Sequence, residues 1–183
     1  MKRPTTRELS HVAMYTAMIA AGAFIAIPLG PVPFTLQPLF VLLAGLVLGA
    51  RLGALSVIAY LILGLMAPVY AGGTSGLGVL LGPTGGYLVG FVFAALVAGA
   101  VAHSGKMTTL RYVAGGLLGL LPLYVLGASW LAVSLHLESL SAALTAGVLP
   151  FLPFDAIKAV VAGLAAHSLQ QSPLGLPVPS RSP

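Results

Sequence analysis

The chain has 183 residues, 58% of them hydrophobic and only 6% charged, whereas a soluble domain carries about a quarter charged residues. It contains no polar block large enough for a separate soluble domain, so it reads as one membrane domain. The net charge of +5 comes from bases scattered singly, which excludes the clustered basic face of a nucleic-acid binder, and the absence of cysteine excludes a disulfide framework and a thiolate metal site.

Apolar segments recur at roughly 11–29, 36–50, 52–67, 86–103, 110–134 and 151–169. A helix needs about 20 residues to cross a bilayer. The second and third segments are short, and only Arg51 with its neighbouring glycines Gly49 and Gly53 separates them. A charge placed there would surface at a tight turn, so the stretch is read as two helices. The expected fold is an all-α integral membrane protein of six transmembrane helices. Residues 1–10 form a short N-terminal segment, 11–169 the helical domain, and the proline-rich 170–183 a disordered tail.

Basic residues set the orientation. Lys2, Arg3 and Arg7 precede the first helix, Arg51 lies between the second and third, Lys106 and Arg111 lie between the fourth and fifth, and Arg181 follows the sixth. The alternate loops, about 30–35, 68–85 and 135–149, contain neither Lys nor Arg. The positive-inside bias then puts both termini in the cytoplasm of a multi-pass protein of the cytoplasmic membrane, with the Pro/Gly-rich loops facing out.

Three outward segments converge on one face in this topology. PVPFTLQ at 31–37 has prolines that force extended backbone and leave Thr35 and Gln37 free to hydrogen-bond. GGTSGLGVLLGPTGGY at 72–87 has seven glycines in sixteen positions, which let backbone approach a ligand closely, with Thr74 and Tyr87 as side-chain candidates. PFLPFDAIK at 150–158 holds Asp155 and Lys158, the acid and base embedded in an apolar stretch, three residues apart and so on one helix face. Ionised groups there cost about 2.5–3.5 kcal/mol on insertion scales, which makes their retention a functional-site hypothesis. Blander roles stand beside it: Asp155 could cap its helix and Lys158 could snorkel outward.

Other chemistries find less footing. No G-x-x-x-x-G-K-[ST] motif is present, so a P-loop ATPase is excluded. The GTSG at 73–76, with His167, resembles the serine motif of rhomboid intramembrane proteases. Ser75, however, sits in an outward loop and His167 at the opposite end of the last helix, about 18 Å from Asp155 at 1.5 Å per residue. A serine and its base must lie within about 3 Å. No catalytic residue is therefore assigned and the protein is not read as an enzyme. No His pair has metal-ligand spacing, and His11, His103 and His136 sit near expected helix ends, where an interfacial role is expected. Ala13, Ala17 and Ala21 recur every four residues on the first helix, a small-residue stripe that allows close helix approach within the chain or to a partner.

With these motifs in view, the chain resembles the BioY family, the substrate-binding (S) components of energy-coupling-factor (ECF) biotin transporters. The resemblance covers roughly residues 8–170 and rests on PVPFTLQ, on GGTSGLGVLLGPTGGYLVGF at 72–91 and on PFLPFDAIK. Phe154 stands where the family pattern usually has glycine. The resemblance implies six helices and a biotin pocket near the outer surface. It implies no cofactor; biotin is the transported ligand. The implied partners are a transmembrane coupling protein, contacted through Ala13 and Ala17, and two cytoplasmic ATPases. For the ligand it implies Asp155 accepting from ureido N–H groups and Lys158 meeting the ureido oxygen or the carboxylate. Tyr87, Thr35, Gln37 and Thr74 follow as further contacts. An intramembrane hydrolase and a structural assembly subunit remain the rival readings.

Overall fold

The computed structural model describes residues 4–172. Helix α1 spans Thr6–Phe24 and opens on a capping box, in which the Thr5 side chain and the Glu8 carboxylate satisfy each other's backbone amides. It stops five residues before its apolar run ends. The chain then forms an antiparallel hairpin, β1 (Ala26–Pro28) and β2 (Pro33–Thr35), a small β element that the all-α expectation did not contain. Prolines at 28, 31 and 33 suit extended backbone, and Gly30 turns the hairpin at φ 87°.

Helix α2 runs Gln37–Met66 and is broken at Gly49, whose φ of 81° and ψ of 170° lie outside the helical region. The break reverses the chain. Gln37 Nε2 donates to Tyr60 Oη at 2.6 Å, whereas 23 residues of straight helix would part them by about 34 Å. The two arms, 37–48 and 50–66, are so close that a Cβ on Gly53 would fall 2.6 Å from the Gly45 Cα. The reversal strands carbonyls at the end of the first arm. Leu46 O accepts from His103 Nε2 at 2.8 Å and Val47 O from Gln170 Nε2 at 2.7 Å.

A one-turn 3-10 helix at Ala71–Gly73 and α3 (Leu77–Leu81) follow, then α4 (Gly85–Ala102) and α5 (Thr109–Ser134), capped by Thr108. The short α6 (Leu140–Gly147), capped by Ser139, precedes α7 (Leu152–Gln171), which has Pro153 in its first turn. Gln170 and Gln171, assigned to the tail above, belong to α7; residues 173–183 lie outside the described part, as do Lys2, Arg3 and Arg181.

Four of these helices, α2, α4, α5 and α7, are long and apolar enough to cross a membrane. α2 and α5 both pack along α4, and α7 packs against α5 and α2. The interior is aliphatic and small, built from residues such as Val41, Leu46, Ala94, Ala98 and Ala162, while Leu121 and Val125 of α5 point outward. An outward apolar face suits hydrocarbon rather than water. Ala13, Ala17 and Ala21 are likewise exposed on α1, whose opposite face buries Val12, Tyr15 and Ile19.

Candidate ligand-binding site

The first turns of α7 carry Asp155 and Lys158 into a cleft closed by β2, α5 and the start of α4. Lys158 Nζ lies 2.7 Å from Asp155 Oδ1, and the two side chains are only 8% and 7% exposed. Nζ also donates to Thr35 O at 2.6 Å and sits 3.8 Å from the centre of the Phe34 ring. The other carboxylate oxygen, Oδ2, accepts from Tyr124 Oη at 2.7 Å. Asp155 therefore does not cap α7, since its carboxylate is held by two side chains. Lys158 does not snorkel; it turns inward to a backbone carbonyl. Removing either partner would leave an uncompensated buried charge, at a cost of about 3–5 kcal/mol.

Around this pair lies a cavity of about 60 Å³. Thr35, Gln37, Tyr87, Asp155 and Lys158 all line it, together with Phe34, Tyr70, Leu88, Phe91 and Phe151. Thr74 does not: it is exposed, and its hydroxyl donates to Ala71 O at 3.0 Å within its own turn. The polar groups on the wall form a chain. Thr35 Oγ1 donates to Gln37 Oε1 at 3.2 Å, Gln37 Nε2 donates to Tyr60 Oη, and Tyr60 Oη donates to Val69 O at 3.2 Å. Tyr87 Oη donates to Gly147 O at 2.8 Å, tying α4 to the end of α6. The result is an apolar enclosure with few, fixed polar groups, the usual make-up of a small-molecule site.

Two residues escaped the sequence reading. Tyr124 lies in the apolar run of α5, 31 positions from Asp155, and nothing local marks it as a partner. Tyr70 lines the cavity and donates to Leu61 O at 2.7 Å, and burial raises its hydroxyl above the usual tyrosine range. A tyrosine inside an otherwise apolar stretch was the available signal, because a buried hydroxyl needs a partner. Phe154, where glycine is usual in the family pattern, stays helical and packs edge-on against Phe34 with ring centres 5.5 Å apart.

The protease constellation is not assembled. Ser75 is exposed and outside the cavity, while the His167 ring lies 5.5 Å from Tyr112, far along α7 from Asp155. Among the described residues no group of three or more His, Asp or Glu could hold a metal.

Sequence and fold comparison place these features in one family. The model of the BioY family matches residues 1–173. The chain belongs to the BioY family. The biotin transporter BioY of Thermotoga maritima is 45% identical over 166 residues, covering 90% of this chain and 96% of the relative. That of Rhodobacter capsulatus is 41% identical over 180 residues, with 90% and 94% covered. Among solved structures, the S-component for biotin from an ECF-type ABC transporter superposes with a TM-score of 0.85 at 31% identity, covering 93% of this chain and 96% of the other. BioY membership makes the protein a transporter component rather than an enzyme, and the rhomboid alternative finds no support.

Proposed function

We propose that this member of the BioY family captures biotin and delivers it across the cytoplasmic membrane as the S component of an ECF transporter. The observation that carries the reading is the buried Asp155–Lys158 pair facing an apolar cavity, in a chain whose relatives are biotin transporters. Biotin presents a ureido group with two N–H donors and one acceptor, an apolar fused ring and a carboxylated chain. Asp155 supplies acceptor oxygens for the ureido N–H groups, and Lys158 a donor for its oxygen or for the carboxylate. Tyr87, Phe91 and Phe34 offer apolar surface to the rings, while Thr35 and Gln37 supply the remaining polar contacts. Thr74 is a candidate only if its turn swings inward on binding.

The topology belongs to the same proposal. α1, the two arms of α2, α4, α5 and α7 are the six crossings, with both termini in the cytoplasm and the cavity near the outer face. The exposed stripe at Ala13 and Ala17 is the surface offered to the transmembrane coupling protein, and two cytoplasmic ATPases energise the complex. The mean hydropathy of +1.06 and the base-free alternate loops support this arrangement.

The test is retention of labelled biotin by the purified chain in detergent with no partner added. Retention is expected. Its absence would favour a purely structural subunit. Lys158→Ala is expected to abolish tight binding, measured by calorimetry, while membrane insertion is unchanged. Unaltered affinity would remove Lys158 from the site.

A further inference from the structure

A second concavity lies at the far end of the helical body from the biotin cavity. It runs between the second arm of α2 and α4, floored by Leu52, Ala54 and Leu55 and walled by Ile58, Val92 and Leu96. Every one of these side chains is apolar. Ala54 to Ile58 and Val92 to Leu96 are each about one helical turn, so each helix lines the concavity over about 6 Å. At its mouth stands Arg51, exposed and with no hydrogen bond or ion pair to another described residue. Pro4 closes the same mouth, and Lys2 and Arg3 directly precede it in the chain. The acid nearest in sequence, Glu8, has its carboxylate taken by Thr5. The opposite face of the arm is used internally, where Ser56 O accepts from Thr16 of α1 at 2.9 Å, and the segment leading into α1 meets the trough through Pro4.

We propose that this trough is a binding site for an anionic phospholipid, with the phosphate headgroup at Arg51 and an acyl chain along Leu55, Ile58, Val92 and Leu96. A lipid-facing trough without polar lining will be filled by hydrocarbon in a bilayer; the unpaired cation at its mouth selects which headgroup sits above it. Arginine binds phosphate through a planar fork of donors, and basic residues at the cytoplasmic leaflet attract anionic lipid. A soluble anion would use the charge but leave the trough empty. A protein helix would use the trough but needs an acid opposite Arg51.

Native mass spectrometry of the full-length protein, titrated with phosphatidylglycerol or phosphatidylcholine, tests the assignment. Phosphatidylglycerol is expected to be retained in preference, with Arg51→Gln reducing its retention about fivefold and Arg51→Lys restoring part of it. Ile58→Trp, which fills the trough but keeps the cation, is expected to lower retention of both lipids. Labelled biotin retained by each variant reports intact folding, and separates failure of this proposal from failure of the biotin reading. Equal retention of the two lipids, or no effect of Arg51→Gln in a biotin-competent variant, would overturn it. So would Arg51→Gln disrupting only association with a coupling protein.

Discussion

Under the proposed function, truncating Lys158 would do two things at once: remove a ligand donor and strand the Asp155 carboxylate in a buried site. The two effects can be separated. Lys158→Met alone should lower the melting temperature in detergent, because the stranded charge costs about 3–5 kcal/mol. Adding Asp155→Leu removes that charge, and the double variant should recover most of the lost stability yet still fail to retain biotin. Melting that stays low in the double variant would mean that the pair is chiefly a packing device. Tyr124 acts one step back, through its hydrogen bond to Asp155 Oδ2. A hydrogen bond to a charged group contributes about 1.5–3 kcal/mol. Tyr124→Phe should therefore weaken biotin about tenfold or more by calorimetry, with little change in how much protein inserts. Of this site, Asp155 and Lys158 were legible because charge is rare in hydrocarbon. Tyr124 stood out only as a hydroxyl in an apolar run; which residue it pairs with was not legible, since that partner is 31 residues away.

At the scale of elements, α2 is the informative case. Hydropathy alone would make 37–66 one overlong helix; the glycines around Arg51 argued for two segments, and the reversal at Gly49 places the two arms side by side. Gly49 at φ 81° is held where a side chain is strained by about 1–3 kcal/mol. Gly49→Ala should lower the melting temperature measurably. Gly53→Val should do worse, since its Cβ would meet the Gly45 backbone at 2.6 Å, with nothing flexible to yield. Equal stability of the two variants would show that conformation, not the closeness of the arms, limits the hairpin. His103 and Gln170, read as interfacial or tail residues, cap the carbonyls freed by this break. That role depends on where two other helices, α4 and α7, end, which no local pattern encodes.

For the whole molecule, the distribution of bases makes a topology that can be tested directly, and the absence of cysteine gives a silent background. Ser75→Cys should react with a membrane-impermeant maleimide in intact cells. Lys106→Cys should react only after the membrane is opened. Labelling of both from outside would overturn the six-crossing arrangement. In the proposed orientation the Asp155–Lys158 cavity and the Arg51 trough lie at opposite faces, so capture and lipid anchorage would use separate ends of the bundle.

By itself, the sequence determined the class of protein, the apolar segments, the alternation of base-bearing and base-free loops and the motif pair Asp155–Lys158. Each depends on transfer between water and hydrocarbon, which acts residue by residue and so is visible in composition and spacing. The tertiary structure decided what those residues face. It brought Thr35 O and the Phe34 ring onto Lys158, Tyr124 onto Asp155, and His103 and Gln170 onto the broken end of α2. It also left Thr74 outside the cavity. These are contacts between distant segments, set by how helices pack and by where glycine lets backbones meet, and a hydrogen bond has no signature in either strand of sequence until both are in place.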